Sequence, residues 1–442
     1  MNPLVNPLGR SDPVRGHKDL IIIGGGIAGV ICLHYAHKAG LNVVLLERKN
    51  VIGGLWTQLP PWQDIQQNRS DWTIGDMPID GEYQPAIHKN ICAWVERFDL
   101  SASILLNTPV NNAKWDGSQW VVTTPTGQFT CTNVVAATGV QNQPFVPGPE
   151  RSSNSLRELH SSALRDPAEL AGQSVVVVGG GASAYDLLDL CFAYEASQVH
   201  WVYRSLRWMM PTKKPKHLAG DIRWLGPLQM QGASVGHINR LLNKELQARY
   251  DGFGLNDIRP NGEFDFNHHQ LIPGRHRMIE NFKKIQHYQA EISRVSEKTV
   301  ELSNGEQLNA NLMLWGTGYS FDLSYFDQGS LSKIVDPAVL TARCGSRIMS
   351  LDAPNLFFLA PGIVGGIGGL SWQYAHSSIA IMHHIQGRSP LSSEPVLHNL
   401  NYFDQIKYLA KLNPGFYTPD VWPAHYQAMA DELKDGKPLP MP

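Results

Sequence analysis

Glycines at fixed offsets behind an apolar strand constrain this chain more than any other feature, and the pattern occurs twice. Asp19–Ile23 is a run rich in β-branched residues, as a strand buried on both faces requires. It leads into Gly24-Gly25-Gly26-Ile27-Ala28-Gly29 and then into a helix-like stretch, Val30–Lys38. Gly40 closes that helix, and Asn42–Leu46 reads as a second strand ending in Glu47-Arg48. The three glycines have separate physical roles. Gly24 permits a tight turn, Gly26 lets the backbone approach a pyrophosphate, and Gly29 allows close helix–strand packing. The phosphates then rest on the helix N-terminus, where free N–H groups and the helix dipole favour anions. Glu47 stands about twenty residues on, where a carboxylate reaches ribose hydroxyls. A glycine-rich turn without a ligand is the competing reading; the ordered series of strand, glycines, helix, strand and acid weighs against it.

The second copy runs from the strand Ser174–Val178 through Gly179-Gly180-Gly181-Ala182-Ser183-Ala184 to a helix-like Tyr185–Tyr194 and a strand Gln198–Tyr203. Ala184 replaces the third glycine, a variant the pattern tolerates. The end of the second strand differs more. Where the first copy has an acid, this one has Arg204-Ser205, with Arg207 close behind. A carboxylate would repel a 2′-phosphate, whereas arginine binds one in bidentate fashion. The first copy is therefore typed for FAD and the second for NADPH, the competing reading of Arg204 being a surface arginine at a strand end.

Strand-like Gly127–Ala137 ends in Ala137-Thr138-Gly139, and Leu312–Leu314 precedes Trp315-Gly316-Thr317-Gly318-Tyr319. Both turns suit close contact between backbone and cofactor, and they bracket the second copy. The expected class is α/β, with two Rossmann-like dinucleotide-binding domains, the NADPH domain inserted into the FAD domain. The expected boundaries are residues 1–150 for the first part of the FAD domain, 151–310 for the NADPH domain and 311–442 for the return and tail. Gln143–Pro149 reads as a linker. Residues 207–275, helical over Gly236–Arg249, read equally as a cover on a substrate pocket or as a surface excursion. The tail after Ser389 holds one helix-like stretch, and a role in a homo-oligomer is left open.

Bulk properties narrow the function. A chain of 442 residues is long enough for two to three domains. Its formal net charge of -2 gives no concentrated basic surface for nucleic acid; Lys213-Lys214-Pro215-Lys216 reads as solvated loop charge. No two of the five cysteines are spaced as CxxC, so neither a zinc site nor a local redox dithiol is written here. Met1–Lys18 lacks the apolar run of a signal peptide. Asn355–Leu370, the most apolar stretch, carries Pro361 and five glycines and falls short of a bilayer span. These features suit a cytoplasmic protein without a metal.

With these motifs the chain resembles the class B flavin-dependent monooxygenases, the group that includes the flavin-containing and Baeyer–Villiger monooxygenases. The resemblance covers about residues 18 to 390. It rests on Gly24–Gly29 with Glu47, Gly53-Gly54-Leu55-Trp56, Ala137-Thr138-Gly139, Gly179–Ala184 with Arg204-Ser205, and Gly316-Thr317-Gly318-Tyr319. It also takes in Asn355–Leu370 and a helix from Ser371. It implies FAD and NADPH as cofactors and O2 plus a small-molecule substrate as partners, with oxygen transferred through a C4a-(hydro)peroxyflavin. Gly54, Leu55, Trp56, Thr138, Gly139, Thr317, Gly318 and Tyr319 become cofactor contacts beside Gly24, Gly26, Ile27, Ala28, Gly29, Glu47 and Arg48. Gly179, Gly181, Ala182, Ser183, Ala184, Arg204, Ser205 and Arg207 would hold NADPH.

The same resemblance makes Asn68 the candidate catalytic residue, an amide at the flavin's reactive edge; a helix or turn cap is its alternative. The family's fingerprint FxGxxxHxxx(Y/W), aligned on His160, meets Asn154, Leu156 and Leu164 at its other places, so only His160-Ser161 survives. His160 either serves relative domain motion or simply bonds a loop backbone. Trp56, Trp62, Trp72, Trp372 and Tyr374 are candidate pocket aromatics, each also plausible as core. N- or S-oxygenation of a small lipophilic compound is the leading expectation. Baeyer–Villiger oxidation and a non-oxygenating NADPH–flavin reductase are the alternatives.

Overall fold

The computed structural model of the chain describes residues 16–63, 74–75, 77, 79–81, 84–212, 233–266, 268–327, 329, 331–359 and 370–395. Asn68, Trp72, the 213–216 basic run, the glycine-rich stretch 360–369, the Trp372 side chain and the tail beyond 395 lie outside them. In chain order the elements that matter are β1 (Lys18–Ile23), α1 (Ile27–Lys38), β2 (Val43–Leu46), α2 (Gln84–Arg97) and β3 (Gly127–Ala136). They continue with β4 (Arg157–His160), β5 (Ser174–Val178), α3 (Ala182–Ala193), β6 (Gln198–Tyr203), α4 (His276–Glu280) and β7 (Ile285–Gln289). The last are β8 (Leu312–Trp315), β9 (Leu356–Phe358) and α5 (Leu370–Ile385).

Contacts divide the described residues into two units. One gathers those of 1–58, 67–143 and 320–431, the other those of 59–66 and 144–319. The first is built on a parallel array ordered β9–β3–β1–β2, with Ile23 level with both Leu46 and Ala136. A hairpin, Asn112–Trp115 with Trp120–Thr124, extends it through antiparallel pairing to β3. Ile21, Ile23, Val44, Trp120, Phe326 and Phe358 form its core. Helix α1 is buried from Ile27 to Ala36, which explains why its sequence is apolar all round rather than striped. In α2 the buried Ile87, Ile91, Trp94 and Val95 recur at helical spacing and give one apolar face.

The second unit carries five parallel strands ordered β7–β6–β5–β8–β4. Val176, Val178, Val202, Met313 and Trp315 fill one face. Here the structure shifts an expected boundary. Leu312–Trp315 belongs to this sheet, beside β5, and the chain returns to the first unit at Ser320 rather than near 310. The reason is pairing: β8 is buried at every position and lies between β5 and β4, so it closes the insert instead of opening the return. Gln143-Pro144, expected as linker, forms a short strand. The helix expected at Gly236–Arg249 runs from Val235 to Phe253, capped by the Ser234 side chain and ended by Gly254 in left-handed conformation.

Candidate functional site

Each unit carries a glycine cradle at the carboxyl ends of its parallel strands. At the first, Gly24 turns with φ +111°, and a Cβ there would lie 2.6 Å from the Ala137 carbonyl oxygen. A Cβ on Gly29 would fall 1.9 Å from the Gly24 oxygen. Those two glycines are demanded by the fold itself. Gly26 is different: its φ of −77° suits any residue, and an added Cβ would meet nothing nearer than Gly54 Cα at 3.7 Å. Its missing side chain leaves room above the N-terminus of α1, where neither a side-chain cap nor a first-turn acid competes for the free N–H groups of Ile27, Ala28 and Gly29. That is the chemistry of a pyrophosphate seat.

Glu47 is buried and fixed. Its carboxylate accepts the Gly25 N–H at 2.6 Å and the Lys49 N–H at 2.9 Å. A carboxylate offers about four acceptor positions, so ribose hydroxyls still have a partner. Arg48 is exposed beside it. The Gly53-Gly54-Leu55-Trp56 segment becomes a 3-10 turn over Gly54–Thr57, held because Gly53 N–H donates to Gly25 O at 2.8 Å. Gly54 thus stands directly against the glycine loop, so close that its Cβ would sit 2.9 Å from Gly26 Cα, and Leu55 and Trp56 follow it in the turn. His88 of α2, which sequence reasoning missed, bonds Ile52 O through Nε2 at 3.0 Å and packs on Gly53. Thr138 and Gly139 follow β3 at the same strand edge, where Ala137 N–H donates to Ile23 O at 2.9 Å.

The second cradle repeats this logic. Gly179 has φ +133° and would place a Cβ 2.3 Å from Gly316 O, whereas Gly181 is open, its nearest atom being Arg207 Cγ at 3.9 Å. Helix α3 begins at Ala182-Ser183, again without a side-chain cap or a first-turn acid. Ala184 takes the third glycine's place because the facing strand end supplies the space: a Cβ on Gly316 would lie 2.6 Å from Ala184 Cα. The arginine loop is stapled to this cradle. Arg207 N–H donates to Gly180 O at 2.8 Å, and the Tyr185 hydroxyl donates to Arg207 O at 2.9 Å. Trp201, fully buried, donates its indole N–H to Gly179 O at 2.7 Å. Arg204, Ser205 and Arg207 are all exposed, and Arg204 stands 3.6 Å from Glu291. Nothing in a linear pattern flags Tyr185, Trp201 or Glu291; their roles come from contacts between separate elements.

Thr317, Gly318 and Tyr319 lie in this unit as well. The Thr317 hydroxyl donates to Phe145 O, and Phe145 N–H donates to Gly318 O at 2.9 Å. His160 takes the loop-bonding role: Nε2 donates to Gly318 O at 2.9 Å while Nδ1 accepts the Ser162 N–H. Burial lowers its pKa below the usual histidine range. At the fingerprint's other places Asn154 is exposed, while Leu156 and Leu164 are buried. Trp62 donates to Leu164 O at 2.6 Å and so is tied to backbone within the second unit. Among the described residues no cluster of His, Cys, Asp or Glu could hold a metal, and no helix is long and apolar enough to cross a membrane.

Two such cradles, one in each unit, are what a protein that binds two dinucleotides requires, and comparison with known proteins agrees. A family model described as pyridine nucleotide-disulphide oxidoreductase matches residues 21–224. The FAD-binding monooxygenase acrE of Aspergillus aculeatus is 24% identical over 56% of this chain and 46% of its own length. An uncharacterized CzcO-like oxidoreductase of Geobacillus kaustophilus is 24% identical, over 82% of this chain and 94% of its own length. The phenazine N-monooxygenase PhzNO1 of Lysobacter antibioticus is 27% identical over 45% of this chain and 40% of its own length. The chain thus spans about half the length of the fungal relative. Among solved structures, OTEMO in complex with FAD and NADP superposes with a TM-score of 0.65 at 14% identity, covering 85% of this chain and 86% of that one. These likenesses agree with the resemblance of the chain's motifs to the class B flavin-dependent monooxygenases.

Proposed function

We propose that this chain is an NADPH- and O2-dependent FAD monooxygenase that oxygenates nitrogen or sulfur in a small lipophilic substrate. The observation that carries the reading is the pair of open, uncapped cradles, one faced by the fixed carboxylate of Glu47 and the other by the exposed guanidinium of Arg204. Bound there, FAD and NADPH supply the redox chemistry: hydride from the nicotinamide and O2 activation at the reduced flavin. The protein's share is positioning. N–H groups at the starts of α1 and α3 take the pyrophosphates, Glu47 orients a ribose, and Arg204 with Ser205 and Arg207 reads the 2′-phosphate. We assign residues up to about 150, and again from the return, to the FAD domain, and the segment between to the NADPH domain. Asn68 is proposed at the flavin's reactive edge. Heteroatom oxygenation is favoured over Baeyer–Villiger chemistry by the phenazine N-monooxygenase relative. A cytoplasmic location suits the five cysteines, none of them in a disulfide.

Turnover under 18O2 tests the reading. Incorporation of one labelled oxygen into an amine or sulfide, with NADPH consumed, is the expected result. A labelled ester or lactone would move the assignment to Baeyer–Villiger oxidation. NADPH consumption with no label in any product across amines, sulfides and ketones would make the protein a reductase.

A further inference from the structure

Gln373, in the first turn of α5, is 2% exposed, and neither its Nε2 nor its Oε1 has a hydrogen-bond partner. A buried carboxamide left wholly unpaired is unfavourable, so native structures almost always satisfy one, and an exception points to an absent partner. Its place in the fold says which partner. Helix α5 runs alongside α1: the Cys32 thiol is bonded to Ser378, and Gln386 Nε2 donates to Ala39 O at 2.9 Å. Both contacts keep nearly the same offset, so the helices are parallel and Gln373 stands level with Ile27, at the pyrophosphate end of α1. The face is fixed too. His384 lies three turns further along α5, within about 20° of the same side, and its ring meets that of Phe357 in β9. Gln373 therefore sits on the side of α5 turned to the sheet, at its carboxyl edge, where ligands of open α/β sheets bind. Asn142 Oδ1, just past Thr138-Gly139 in the same unit, is likewise buried without a partner.

We propose that Gln373 is a flavin-binding residue whose carboxamide pairs with the imide edge of the isoalloxazine ring, Oε1 accepting from N3–H and Nε2 donating to the neighbouring carbonyl oxygen. Phosphates offer acceptors alone and would leave Oε1 orphaned; the imide offers a donor and an acceptor side by side. The inference rests on the FAD reading of the first cradle.

The test compares binding of FAD and 3-methyl-FAD to the apoprotein of full-length wild type and of Gln373→Leu, by flavin fluorescence. N3 methylation is expected to weaken wild-type binding by roughly ten- to a hundred-fold, the equivalent of two neutral hydrogen bonds. Gln373→Leu should bind FAD as weakly as wild type binds the methylated flavin, with no further loss on methylation and no fall in apoprotein Tm. Equal binding of both flavins by wild type would overturn the proposal without touching the FAD reading, and that arm holds even where the variant fails to fold. A methylation penalty that persists undiminished in Gln373→Leu would overturn it as well. Failure of wild type to bind either flavin would instead bring down the FAD reading, and the proposal with it.

Discussion

Gly26 and Gly29 belong to one loop and would answer the same substitution differently. A methyl at 29 has nowhere to go, being 1.9 Å from a backbone oxygen, whereas a methyl at 26 meets nothing closer than 3.7 Å. Gly29→Ala is expected to lower apoprotein Tm by several degrees or abolish folding. Gly26→Ala is expected to leave apoprotein Tm within a degree or two while weakening FAD binding by roughly ten-fold or more, on the scale of one displaced charge-assisted hydrogen bond; thermal melts with flavin titration distinguish them. At the second cradle the charge decides. Arg204→Ala should raise the KM for NADPH by roughly ten- to a hundred-fold and leave that for NADH nearly unchanged. Glu291, 3.6 Å from Arg204, would repel the same phosphate, so Glu291→Gln should lower the NADPH KM with no matching change for NADH. Steady-state kinetics with both nucleotides checks the pair.

Between elements, two contacts carry predictions. His34 of α1 packs against Trp94 and Phe98, with ring centroids 4.9 and 4.0 Å away. Burial pushes its pKa down to about 4, with repulsion from Lys38, His37 and Arg97 added. The unfolded chain then binds the proton more readily, so the stability this site contributes is present above the ordinary histidine pKa of about 6.5 and is lost as pH falls through 4. His34→Leu should flatten the fall in Tm between pH 6.5 and 4; an unchanged slope would assign it to the other buried histidines. In the second unit Arg275 binds Asp186 of α3 at 2.6 Å with both side chains buried, joining α3 to the segment that opens α4. Arg275→Met should cost about 3 kcal/mol by denaturant titration, and pairing it with Asp186→Leu should restore much of that.

These elements also show how far the sequence could be read. Strand, glycine loop and helix follow from local spacing, and so do Glu47 and Arg204. The grip of His88 on Ile52 and that of Tyr185 on Arg207 join residues far apart in sequence, and periodicity says nothing about such pairs. The expected boundary near 310 missed for the same reason: β8 is an apolar run whose allegiance is settled only by its partners β5 and β4.

At the scale of the molecule, each unit has its own core and its own cradle. Loss of phosphate recognition in Arg204→Ala is thus expected to leave flavin content at the wild-type level, measured by absorbance of the purified protein. The passage out to the second unit and the passage back are stitched together by the bond from Phe145 to Gly318. Residues 144–319 thus begin and end within one hydrogen bond of each other, with the short stretch 59–66 joined to them through Trp62 and Arg165. Such a segment is open to transplantation into another host loop, or to circular permutation with new termini elsewhere, because the gap to be rejoined is barely wider than the one already bridged.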